Sequence, residues 1–249
     1  MTARPNLRAF TRAIALAVVV LAGCATGASS PGPEARAQAA IASPLRTDQD
    51  RRMDASRNPA QFLPFTGVAP GMVVLDLSAG GGYTSQLLAL SVGPQGKVYA
   101  QRTQPGEALT RRLADHPQPN LIPVYQPFED PVPANAPPLD LVTLVNNYHD
   151  IAYLPVDRAK MNQRLYAALK PGGRLVIVDH AAKPGTGTSV ARTLHRIDEA
   201  VVIAEVTQAG FALDAEGQFL RNPSDSREAS SGDGQAMSDK FVLRFVRPK

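Results

Sequence analysis

The first regular pattern along the chain begins near residue 70. Five apolar runs recur there: Val73–Leu77, Lys97–Gln101, Leu121–Gln126, Asp140–Val145 and Arg174–Asp179. Each run is continuous rather than alternating, as in strands covered on both faces. Between them, residues 83–91, 106–115 and 156–169 carry helical spacing. In the last of these, Met161, Leu165, Ala168 and Leu169 share one face. Strand and helix alternate, which predicts an α/β fold with a parallel, doubly wound sheet. The end of the chain reads differently. A helix is expected around residues 194–209, closing near Gly210. Two strand-like runs follow, Phe211–Leu220 and Lys240–Val246, split by the polar segment 222–239. They predict an antiparallel pair with a long insertion.

Upstream of the alternating region the pattern is weaker. Residues 46–63 are charged and expected to be helical in part, with a break at Pro59. Residues 25–45 are rich in Ala, Ser, Pro and Gly and read as a flexible tether. At the start, Arg4, Arg8 and Arg12 precede the apolar stretch Ala13–Ala22, which is short for a bilayer span. It ends in Leu21-Ala22-Gly23-Cys24. A basic start, a short apolar core and small residues describe a secretory signal. The tetrad LAGC resembles the lipobox of bacterial lipoproteins. That resemblance implies cleavage before Cys24, a lipid on Cys24 and attachment to a membrane. Ala25 after the cysteine would then direct the protein to the outer membrane of a Gram-negative cell. An uncleaved anchor with a chance cysteine is the alternative. The expected division is therefore a signal at 1–23, a tether at 24–45 and one domain at 46–249.

Composition narrows the class. The chain has 249 residues, 44% hydrophobic and 19% charged, which suits a globular domain with a sizeable core. Its formal net charge is +4, but residues 1–23 hold three arginines and no acid, so the remainder carries +1. No basic stripe interleaved with aromatics is present. Nucleic acid is therefore not an expected partner. Cys24 is the only cysteine, so no disulfide can form within the chain.

The most informative stretch is VLDLSAGGGYT, residues 74–84. A glycine-rich turn from strand to helix places backbone N–H groups and a helix N-terminus beside a ligand. A dinucleotide fingerprint fits poorly. Gly80 and Gly82 match its first two glycines, but Ser85 stands at the third, and Gln101 stands where a ribose-binding acid is expected. A phosphate-binding P-loop is excluded, because no Gly-Lys-Ser/Thr follows. A tight turn with no ligand is the remaining alternative.

Asp76-x-Ser78-x-Gly80-x-Gly82 resembles the first motif of class I S-adenosylmethionine-dependent methyltransferases. LKPGGRL (residues 169–175) resembles that family's turn into the fifth strand, and QAGF (208–211) its entry to the sixth. The stretches NNYHD, VDH, LHRID and DKFVLRF are similar to a bacterial group of exported, predicted methyltransferases. The resemblance covers residues 60–249 in order. It implies a Rossmann-like, doubly wound seven-stranded sheet, mostly parallel with an antiparallel last strand. It also implies S-adenosyl-L-methionine as cofactor and a small-molecule methyl acceptor. Asp76 would contact the amino-acid end of the cofactor, directly or through water. Ser78, Ala79, Gly80, Gly81 and Gly82 would form the loop around it, and Tyr83 would open the next helix. The acid that holds the ribose in the family aligns with Gln101. Glu129 lies close to the adenine-side acid position, and Asn146 would line the cofactor side.

Histidines supply the remaining chemistry. His149 and Asp150 follow the fourth strand, Asp179 and His180 close the fifth, and His195 lies in LHRID. The carboxyl ends of neighbouring strands in such a sheet face the ligand crevice. His149 or His180 is expected to act as base, oriented by Asp150 or Asp179, with His195 reaching the same rim. Two other readings stay open: a polar network of Asp179, His195 and Asp198 that only ties loops together, and a metal site built from the histidines and an acid. A binding protein on a degenerate methyltransferase scaffold is the competing function.

Overall fold

A computed structural model describes residues 1–3, 31–232 and 237–249. The expected signal and its Cys24 lie outside the described residues. The helices and strands of the described residues all belong to the unit Pro31–Lys249.

Seven strands form one sheet: β1 (Val73–Leu77), β2 (Lys97–Arg102), β3 (Leu121–Tyr125), β4 (Leu139–Val145), β5 (Leu169–His180), β6 (Ala212–Gly217) and β7 (Lys240–Val246). Their order is β3-β2-β1-β4-β5-β7-β6. Strands β1 to β5 pair in parallel, and β7 runs antiparallel between β5 and β6. The expected seven-stranded, mostly parallel sheet with an antiparallel last strand is therefore the observed one.

Successive side chains in each central strand feed two cores, which is why the runs are continuous. Leu75, Val142, Ile177 and Leu243 face one core, together with helices α6 (Tyr148–Tyr153), α7 (Arg158–Ala168) and α9 (Glu199–Gln208). Val74, Leu141, Val176 and Val242 face the other. That side is covered by α1 (Pro33–Ala42), α3 (Pro59–Thr66), α4 (Tyr83–Val92) and α5 (Glu107–Asp115). Full burial of one such side chain stabilises the fold by about 1.5–3 kcal/mol. Among the described residues, no helix is long and apolar enough to cross a membrane.

Three expectations at the edges need correction. Residues 33–42 of the expected tether are the helix α1. Ala37 and Ala40, three apart and so on one face, are buried against the second core. Alanine runs favour helix, and their small side chains let α1 approach closely. The break near Pro59 falls one residue earlier. Helix α2 (Asp48–Arg57) starts at a capping box of Thr47 and Asp50 and ends at Asn58 with φ 43°, and Pro59 then opens α3. The helix expected over 194–209 is two pieces, α8 (Ala191–Leu194) and α9. His195, with φ 51°, ends the first, and Asp198 caps the second by accepting Ala200 N–H.

Candidate functional site

Strand β1 delivers its last residues to a strained turn. Ser78, Gly80 and Gly82 have φ of 58°, 56° and 83°. Ser78 occupies a left-handed conformation that costs a side-chain-bearing residue about 1–3 kcal/mol. At Gly82 a Cβ would stand 2.8 Å from Leu109 Cδ1, so the turn closes tightly over α5. At Gly80 it would stand in open space, on the exposed side of the loop. The loop therefore presents bare backbone beside the head of α4, a geometry suited to an extended polar ligand.

Beneath the loop, the two polar side chains expected to serve the cofactor have internal partners. Asp76 is 2% exposed, and its carboxylate accepts Ser85 Oγ at 2.5 Å and Thr143 Oγ1 at 2.7 Å. Burial pushes its pKa up to about 6, against the opposing pull of those two hydrogen bonds. Gln101 is wholly buried. Its Oε1 accepts the Ser78 N–H at 3.0 Å, and its Nε2 donates to the Gln126 carbonyl at 2.6 Å. Both side chains brace the loop from below instead of facing the crevice. Arg112 braces it from the side. It donates to the Gly81 carbonyl at 2.7 Å and makes a two-pronged contact with Asp50, which is 1% exposed. Tyr83 opens α4 as expected, and its hydroxyl donates to Asp54 at 2.7 Å. Glu129 is half-buried in the turn after β3.

Asn146, at the end of β4, combines two unusual features. Its φ is 58°, and its Oδ1 is buried without a hydrogen-bond partner among the described residues. A buried unsatisfied oxygen is costly, roughly 1–3 kcal/mol, unless a ligand donates to it. Arg57, at the end of α2, was not singled out in the sequence. It lines a small apolar cleft with Phe62, Tyr83, Thr84, Val145 and Val178. Burial holds its guanidinium below its usual pKa, against the pull of Tyr83, Asp76 and Asp179.

The histidine rim forms as the strand ends predict. Asp179 is wholly buried and receives three donors: His149 N at 2.8 Å, His149 Nδ1 at 2.6 Å and His180 N at 2.7 Å. His149 Nε2 lies 3.1 Å from Asp150 Oδ1, and His195 Nδ1 lies 3.3 Å from that same oxygen. The His149 ring stands edge-on to both His180 and His195, with centroids 5.7 and 5.5 Å apart. Thus His149, Asp150, Asp179, His180 and His195 come together. Asp198 does not join them, because it caps α9 and accepts the Gly185 N–H.

Two of these imidazoles sit on opposite sides of neutrality. Burial opposes the charge on His149, but hydrogen bonds with Asp150 and Asp179 win and raise its pKa to about 9. Burial and the cations Lys240, His149 and Arg57 push His180 down to about 2. Its Nδ1 meets Ser238 Oγ at 2.6 Å, a partner supplied by the long β6–β7 connection, which carries no motif that would place it there. Neither group matches the near-neutral base expected from sequence.

No family model matches the chain. A demethylmenaquinone methyltransferase from Symbiobacterium thermophilum is 32% identical over 128 residues, 50% of this chain and 48% of that protein. The chain thus spans about half the length of this curated relative. A SAM dependent methyltransferase from Aquifex aeolicus superposes with a TM-score of 0.57 at 20% identity, covering 81% of this chain and 100% of that one. Fibrillarin from Aeropyrum pernix, in complex with natively bound S-adenosyl-L-methionine, superposes at 0.50 and 16% identity, covering 72% of this chain and 68% of that one. The fold is that of these Rossmann-like methyltransferases.

Proposed function

We propose that the protein is an S-adenosylmethionine-dependent methyltransferase acting on a small-molecule acceptor. The observation that carries this reading is the glycine loop, with open space at Gly80 and, at the neighbouring strand end, an Asn146 Oδ1 without a partner among the described residues. The sequence similarity to a methyltransferase over half of each chain supports it. When bound, the cofactor supplies an electrophilic methyl group on a sulfonium.

This chain's residues would hold and orient. Backbone from Ser78 to Gly82 would receive the amino-acid portion, and Asn146 Oδ1 would accept a hydrogen bond from it. Methyl transfer is a displacement, so the main protein contribution is to set the acceptor in line with the methyl. The rim at the ends of β4 and β5 is the surface available for that. A basic start, a short apolar core and the LAGC tetrad support an exported chain anchored by a lipid at Cys24.

Calorimetry with S-adenosylmethionine and S-adenosylhomocysteine tests the reading. Binding with a one-to-one stoichiometry is expected. Absence of heat at millimolar ligand, with folded protein, would sink it. One observation favours a second reading, a tethered binding protein on this scaffold: Gln101 replaces the ribose acid, and both of its amide atoms already bond within the fold. Methyl transfer to any acceptor would exclude it.

A further inference from the structure

Three side chains on the rim converge their donor atoms. Asp150 Oδ1 lies 3.1 Å from His149 Nε2 and 3.3 Å from His195 Nδ1. Donor atoms of all three residues fall within 4.8 Å of one another. Bonds of 2.0–2.2 Å at tetrahedral or octahedral angles place neighbouring ligands about 2.9–3.5 Å apart. Two edges of a coordination polyhedron are therefore already set. We propose that His149, Asp150 and His195 bind a divalent first-row transition metal of the zinc, manganese or iron class.

The surroundings fit such a site. His149 Nδ1 donates to the buried Asp179 carboxylate at 2.6 Å, which fixes the ring and sets Nε2 against Asp150. A carboxylate behind a ligating histidine is the usual support of a metal centre. His195 is held at φ 51°, its carbonyl accepts Ser231 Oγ at 2.9 Å, and its ring stands edge-on to Tyr153. A histidine kept in this conformation marks a position where the surrounding structure overrides local preference. Two imidazoles and one carboxylate suit transition metals better than magnesium or calcium, which prefer all-oxygen shells. The side chains of His195 and Asp150 are 44% and 33% exposed. A cation can therefore enter, and its remaining positions face solvent, where water or an oxygen of an acceptor would complete the shell.

This site lies on the histidine rim and does not rest on the cofactor reading. The test uses the full chain, stripped of metal and titrated with Co(II), Zn(II) and Mn(II). One equivalent at saturation is expected for at least one of them, with visible absorption in the cobalt form and a raised melting temperature. His195→Ala removes an exposed ligand and should weaken binding at least tenfold while the chain stays folded. Asp150→Asn should weaken it as well, whereas His116→Ala, in a distant loop, should leave it unchanged. No saturable binding by any of the three ions at millimolar concentration would overturn the proposal. So would His195→Ala and Asp150→Asn proteins that bind metal as the parent does.

Discussion

Gln101 Oε1 accepts the backbone N–H of Ser78 at 3.0 Å while its Nε2 donates to the Gln126 carbonyl at 2.6 Å. One buried amide thus ties the ends of three neighbouring strands. An acid at this position could accept from Ser78 but would set a carboxylate oxygen against the Gln126 carbonyl. Gln101→Glu should therefore destabilise the fold by about 1–3 kcal/mol, read as a lower denaturant midpoint. A gain in cofactor affinity without loss of stability would show that the position answers to the ribose instead.

The carboxyl of Asp76 makes a pH-dependent prediction. Its folded pKa, about 6, lies above its ordinary 3.8. The native state therefore holds this proton more tightly than the unfolded chain. Its contribution is fullest below pH 4, declines as pH rises toward 6, and is constant above that. Asp76→Asn removes this titration. Relative to the parent, the variant should gain stability between pH 4 and 6, by up to ~3 kcal/mol. Urea unfolding of both proteins at four pH values measures the difference, and a flat difference would refute the assignment.

Ser78→Gly relieves a left-handed side-chain-bearing residue at the price of a looser unfolded chain. A net stabilisation of about 0.5–1 kcal/mol is expected, visible as a higher melting temperature.

Arg112→Ala leaves Asp50 buried without its cation, since the pair is 11% and 1% exposed. Removing one partner of a buried pair costs about 3–5 kcal/mol. The loss should also loosen the loop, because Arg112 holds the Gly81 carbonyl. Chemical denaturation checks the first effect, and hydrogen exchange at Gly81 and Gly82 the second.

The sheet was readable because its central strands are covered twice, so they stand out as unbroken apolar runs such as Val73–Leu77. Helix α1 was missed because its composition, rich in Ala with Ser, Pro and Gly nearby, matches a linker. Only the three-residue spacing of Ala37 and Ala40 could have signalled a packed face. At the site, residue identity was easier to read than direction. Asp76 and Gln101 stand where the family motif places them, yet both point beneath the loop, toward Thr143 and Gln126. Sequence position does not encode which neighbour a side chain meets. For the same reason Arg57, brought to the cleft by a helix end, and Ser238, brought to His180 by a long connection, are not legible in the sequence.

Strand β7 lies inside the sheet, between β5 and β6, and its first residue stands opposite His180. A ribosome delivers it after the other six strands of the sheet. Until then β6 has no neighbour to join, β5 shows a bare edge, and His180 lacks Ser238. The crevice is thus a product of completion. A stalled or clipped chain that lacks these final residues would display a sticky edge to proteolysis and chaperones, and would offer no finished rim to any ligand.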